Sequence, residues 1–137
     1  MGDGTTTVVN VEGWPRPRGY ANGMVGQGTA LHVAGQIGWE PDGSWASTDF
    51  VHQFRRALEN VRQVVLAAGG EVTDLARLTI FVTDIDAYRL RHKEVGLAYR
   101  EVMGKHFPAM ALVGVAALVE PNATVEIEAT AYLGAPS

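Results

Sequence analysis

Apolar residues recur along this chain with two periods, and each change of period marks an element. Thr6 to Val11 reads as a short first strand, after which Gly13, Pro15, Pro17 and Gly19 interrupt regular structure and predict an ordered loop. Val25–Gly26 and Ala30–Gln36 flank Gln27-Gly28-Thr29, a spacing that predicts a hairpin of two short strands, closed by the turn Pro41-Asp42-Gly43. From Ser47-Thr48-Asp49 onward the period lengthens. Phe50, Phe54, Ala57, Leu58, Val61, Val64, Val65 and Ala68 fall at helical intervals, with Ser47 or Thr48 placed to cap the start. Gly69-Gly70 ends that helix in the left-handed conformation that glycine tolerates.

Strand periodicity returns at Leu78, Ile80 and Val82, which alternate with Thr79, Phe81 and Thr83. Asp84 or Asp86 opens a second helix running to about Gly104, with Leu90, Val95, Ala98, Tyr99 and Val102 on its inner face and Pro108 forbidding continuation. Met110 to Leu118 is apolar without alternation, so a strand there has both faces buried. Thr124 to Tyr132 alternates again, Val125, Ile127, Ala129 and Ala131 against Glu126, Glu128 and Thr130. This order predicts an α+β sheet with both helices on one side. Two helices leave the other face bare, and since an exposed apolar sheet face invites aggregation, further copies of the chain are expected to cover it.

Composition narrows the chemistry. The 137 residues fit one domain, 1–137, and the 47% hydrophobic content is enough for a real core. A net charge of −4 gives no general attraction to nucleic acid. No apolar run approaches a membrane span, and Met1-Gly2-Asp3-Gly4-Thr5 lacks the basic start and apolar stretch of a signal peptide, so a cytoplasmic protein with no membrane partner is expected. Without cysteine, disulfides, thiolate nucleophiles and thiolate metal sites are excluded. His32, His52, His92 and His106 show no close pair at metal-ligand spacing, and no phosphate loop or nucleophile elbow is present, so neither metal nor cofactor is expected.

Glu126 and Glu128 lie two apart on the last strand, which points both carboxylates to one face about 7 Å apart. Such a pair ordinarily forms a solvated edge. Other short matches lie in order before it: Gly19-Tyr20, Gly35-Gln36, Gln53, Asn60, Gly69 and Phe107-Pro108-Ala109, followed by Val125-Glu126-Ile127-Glu128-Ala129. On these residues the chain resembles, over about 12–133, the Rid family (YjgF type, often labelled endoribonuclease L-PSP), whose best-characterised members hydrolyse reactive 2-imino acids to 2-keto acids.

The resemblance implies a chorismate-mutase-like fold, a mixed sheet with two helices packed on one face, assembled as a homotrimer with ligand pockets between subunits. It makes Glu126 the glutamate that orients the water attacking the imine carbon, and Tyr20 a pocket tyrosine. Position 110 is where the family carries an arginine whose planar fork grips the substrate carboxylate. Met110 makes neither of those bonds, a loss of about 2–3 kcal/mol or more for a carboxylate substrate. Ala34 replaces a frequent serine before Gly35, whose backbone still offers hydrogen bonds, and Leu112 stands where a reactive cysteine often sits. His92 falls where many members have asparagine and offers a general base near neutral pH, although a lone histidine on a helix is more often merely exposed. Gly38-Trp39-Glu40 replaces the family's more usual small or proline-containing segment beside the pocket, and Trp39 either packs on the subunit surface or walls a site for an apolar or aromatic ligand.

The expected function is therefore an intersubunit small-molecule pocket acting on an imine, enamine or other apolar ligand, with Glu126 and His92 as the candidate catalytic groups. Simple 2-imino acids are expected to be poor substrates, unless Arg89, Arg91 or Arg100 replaces the missing arginine. A non-catalytic ligand-binding or regulatory trimer is the alternative, and an endoribonuclease the third reading.

Overall fold

The computed structural model describes residues 4–134, so the start read above for a leader, Met1 to Asp3, lies outside the described residues. Its elements in chain order are β1 (Thr6–Val9), β2 (Gly23–Gly26), β3 (Thr29–Ile37), α1 (Phe50–Ala67), a 3-10 turn (Val72–Asp74), β4 (Leu75–Val82), α2 (Ile85–Leu90), α3 (His92–Met103), β5 (Ala109–Gly114) and β6 (Val125–Leu133). Four strands form a mixed sheet in the order β3-β6-β4-β5, in which only the β4–β5 pair is parallel. The α+β arrangement read from the period changes is thus present.

α1 and α3 cover one face of this sheet. Phe54, Leu58, Val61 and Val65 of α1 are buried against Leu78, Ile80 and Val82 of β4 and Val125, Ile127 and Ala131 of β6. Truncating a wholly buried side chain such as Leu58 to alanine would cost roughly 2–5 kcal/mol. The cap of α1 is Asp49, not Ser47 or Thr48. Its carboxylate accepts the His52 N–H at 3.0 Å, and Ser47 instead accepts the Asp49 N–H at 2.9 Å. At the far end Gly69 takes φ +88°, and the Gly70 N–H reaches the Val65 carbonyl at 3.0 Å.

The expected hairpin between β2 and β3 does not form. β2 pairs with β1, and β3 pairs with β6. Between them the Gln27 N–H bonds Thr5 O at 2.8 Å, and Gly28, at φ +125°, lies hard against the Leu133 carbonyl. The chain therefore passes from the small sheet to the large one where a tight turn would have folded it back.

The second helix is also broken. Arg91, at φ −115° and ψ 25°, ends α2 and begins α3, and its guanidinium grips Asp49 and Glu94, each at 2.7 Å. Leu90, the last residue before the break, is 84% exposed rather than on an inner face, whereas Val95, Ala98, Tyr99 and Val102 are buried as expected. β5 ends at Gly114, short of Leu118, and Val113 on its outer face is 42% exposed in the chain taken by itself.

Candidate functional site

The strand registers decide which side chains share a face. Met110 pairs with Leu78 and Leu112 with Ile80, so both point with the buried residues of β4 toward the helices. Glu126 pairs with Phe81, and Glu128 with Thr79, on the opposite face. Glu126 and Met110 of one chain therefore lie on different sides of the sheet.

On the helix side, a cavity of about 810 Å³ opens between α3, β5 and the loop before β2. Phe54, Ile80, Tyr99, Phe107, Met110 and Leu112 make an apolar floor. Tyr20 joins them because its neighbour Ala21 bridges to Ala109 and donates its N–H to Pro108 O at 3.1 Å, which fastens the loop to the start of β5. Tyr99 is a wall rather than a proton donor. Burial holds its phenol above the ordinary value, the hydroxyl is spent on His106 O at 2.7 Å, and the ring stacks on Phe107 with centroids 5.3 Å apart. His92 also lines the cavity as the first residue of α3, exposed, with Nδ1 3.1 Å from Arg89 O.

Three cations on the rim were not singled out in the sequence, or only in passing: Arg18, Lys93 and Arg100. Among the described residues no aspartate or glutamate lines the cavity. Of the arginines considered as substitutes for the missing one, Arg89 instead faces Asp86 at 3.5 Å and Arg91 is held by Asp49 and Glu94. Only Arg100 reaches the cavity. A signal was available, since Lys93, Gly96, Leu97 and Arg100 sit at helical spacing on one face.

On the other side of the sheet, the Glu126 carboxylate lies over Gly35. A Cβ at position 35 would fall 2.7 Å from Glu126 Cδ and overlap Oε2, so any larger residue would displace the carboxylate from this position. Ala34 and Gly35 are the irregular residues between Val33 and Gln36 where the β3–β6 register shifts, and both are exposed. The Gln36 side-chain amide donates to Ala34 O at 3.1 Å. Trp39 stands apart from both groups. It packs on Trp45, ring centroids 6.4 Å apart, in a separate groove along α1 with Arg55 and Arg56. Within one chain Trp39 does not share the cavity of Met110, because Asn60 of α1 donates to both Ile37 O and Trp39 O at 3.0 Å and ties that segment to the helix.

The structure therefore gathers Tyr20, His92, Met110 and Leu112 on one side, Gly35 and Glu126 on the other, and leaves Trp39 with neither. Among the described residues no three histidine or carboxylate side chains converge as a metal site, and no helix is long and apolar enough to cross a membrane.

A family model for endoribonuclease L-PSP matches residues 15–133. A RutC family protein of Pyrococcus horikoshii is 31% identical over 126 residues, covering 91% of this chain and 96% of that protein. A 2-iminobutanoate/2-iminopropanoate deaminase of Salmonella typhimurium is 35% identical over 115 residues, covering 82% and 85%. Among solved structures, the Rid family protein YyfB of Yersinia pestis, itself of unknown function, superposes with a TM-score of 0.78 at 27% identity, covering 94% of this chain and 99% of that one. With the matched span reaching from the loop before Tyr20 through the whole of β6, the chain belongs to the Rid family, the YjgF or endoribonuclease L-PSP type.

Proposed function

We propose that this chain forms a homotrimer whose pockets are completed by two copies, and that it hydrolyses a small imine or enamine more apolar than a free 2-imino acid. The reading rests above all on Glu126 and Met110 facing opposite sides of one sheet. A pocket that uses both needs the Glu126 face of one copy against the cavity of another. The name of the Salmonella relative, a 2-iminobutanoate/2-iminopropanoate deaminase, supports the reaction class.

In this scheme Glu126 accepts a proton from water as its oxygen attacks the imine carbon, and the imine nitrogen takes up a proton. The resulting carbinolamine collapses as the proton held by Glu126 passes to its nitrogen, releasing ammonia and, with loss of the hydroxyl proton to water, leaving a carbonyl product. Gly35 provides the space in which the carboxylate is held, and its exposed backbone is available to a ligand. Met110 and Leu112 present hydrocarbon where a carboxylate-gripping arginine would favour 2-imino acids.

The test generates 2-iminobutyrate enzymatically and compares its hydrolysis by the wild-type chain, Met110→Arg and Glu126→Gln. The wild type is expected to be slow, Met110→Arg faster, and neutral apolar imines preferred by the wild type and lost in Glu126→Gln. Wild-type turnover of 2-iminobutyrate as fast as that of the Salmonella relative would sink the substrate claim. A stable 14.7 kDa species in sedimentation would sink the trimer. A non-catalytic ligand-binding trimer is the second reading, favoured by the place of His92 in the helix-side cavity, across the sheet from Glu126, which leaves Glu126 without that acid-base partner from its own chain. It predicts binding without turnover of any imine.

A further inference from the structure

We infer that the helix-side cavity takes an amphipathic organic anion, its apolar body on Met110 and Leu112 and its charge at the exposed rim on Arg18, Lys93 and Arg100. The inference deepens the function proposed above and rests on it only in treating this cavity as a ligand site.

The arrangement of charge is the first argument. The chain carries a net −4, yet among the described residues of one chain the cavity lining holds three exposed cations and no carboxylate. Several arginines elsewhere are paired, Arg55 with Glu101 at 3.9 Å, Arg62 with Glu59 at 3.0 Å and Arg91 with two acids, while Arg16, Arg56 and Arg77 have no carboxylate partner among the described residues but do not gather around an apolar floor. Among the described residues none of Arg18, Lys93 and Arg100 makes such a pair. Three cations without a carboxylate partner around an apolar floor present positive charge to an anion whose hydrocarbon fills the floor.

The second argument is Gly96. It lies inside α3 on the cavity face, between Lys93 and Arg100, and a Cβ there would meet nothing within 4 Å. Glycine in a helix interior sacrifices stability relative to alanine without any close packing here to require it. What it does provide is space in a cavity whose 810 Å³ falls within the roughly 300–1,000 Å³ of small-molecule sites.

Polarity is thereby reversed relative to the arginine-bearing pattern. A Met110 chain does not reject acids. It accepts those whose acid group is separated by an apolar segment from the end that reaches Met110, and it discriminates against short acids that have no such segment.

The probes are 4-phenylbutyrate, its neutral isostere 4-phenylbutanamide, and propionate, titrated calorimetrically into the full chain. Phenylbutyrate is expected to bind about tenfold tighter than the amide, and propionate more weakly than either. In Arg18→Gln/Arg100→Gln, checked for an unchanged melting temperature, the acid should fall to the affinity of the amide. Arg89→Gln, outside the cavity, should leave the preference intact. Raising salt from about 20 to about 200 mM should weaken the acid and spare the amide. Equal binding of acid and amide, an acid affinity indifferent to the double substitution, or no binding by either probe overturns the inference. Failure of the proposed function reads differently. Acid preference with no imine turnover leaves the anion site standing and removes the hydrolase, whereas turnover of neutral imines with no acid preference does the reverse.

Discussion

Gln53 Oε1 accepts both the backbone N–H of Thr124, at 2.8 Å, and its hydroxyl, at 2.9 Å, from a side chain with no exposed surface. The other end of the same amide donates to Asn122 O at 3.0 Å and Ser47 O at 3.2 Å. One buried group thus ties the start of α1 to the turn that launches β6, the strand carrying Glu126. Gln53→Leu leaves a buried N–H and carbonyls without partners and should cost about 2–4 kcal/mol in urea unfolding. A loss under about 0.5 kcal/mol would mean that the turn satisfies itself another way.

Gly35 should be replaceable by nothing larger without moving the carboxylate over it. Gly35→Ala places a methyl group 2.7 Å from Glu126 Cδ, so the side chain must swing away. We expect imine turnover to fall about tenfold or more, with only a small change in melting temperature because the residue is exposed at an irregular point of β3. Unchanged turnover in a folded Gly35→Ala protein would separate Glu126 from the chemistry.

Asp49 makes the acid limb of stability partly assignable. The Arg91 guanidinium, and after it the His52 N–H, hold its carboxyl below the usual carboxylate range. A carboxyl depressed in the folded state contributes stability above its unfolded value near about 3.9, and that contribution fades as pH falls through the lower folded value. Thermal melts of Asp49→Asn should therefore lose less between about pH 5 and pH 2 than those of the wild type. The carboxylate is 44% exposed, so the difference should stay within about 1 kcal/mol. A wild-type acid limb identical to that of Asp49→Asn would count against the pairing.

Gly96→Ala should stabilise the chain by about 0.5–1 kcal/mol, since the helix gains and nothing is struck. A lower melting temperature in that variant would show that the cavity is tighter than the structure indicates.

How much of this could be read from the residues depended on whether a signal was local. The period of Phe54, Leu58, Val61 and Val65 is enforced by the sheet they cover, and it located α1 to within a few residues. Glu126 and the buried Val125 and Ile127 were legible for the same reason. The partners of β2 and β3 were not, because a Gln-Gly-Thr turn looks alike whether its strands pair with each other or, as here, one with β1 just before it and the other with β6 near the end of the chain. The break at Arg91 was hidden too, since the ion pairs to Asp49 and Glu94 that accompany it involve a residue 42 positions distant. For the site, Met110, Leu112 and Tyr20 were found by resemblance to a known pattern, which by its nature directs the eye to what is missing. Arg18 and Lys93 lay outside that pattern and emerged only when the cavity wall was complete.

The sheet works as a partition. Side chains at even positions of β5, Met110 and Leu112, line one compartment, while Glu126 and Gly35 occupy the other. Under the proposed function, recognition and water activation would thus be written on opposite surfaces of a single layer of backbone. A protein engineer can redraw the helix-side wall, through positions 18, 93, 96, 100, 110 and 112, while leaving the carboxylate and its glycine cradle untouched. Such a layout turns specificity into a replaceable lining rather than a property of the whole fold.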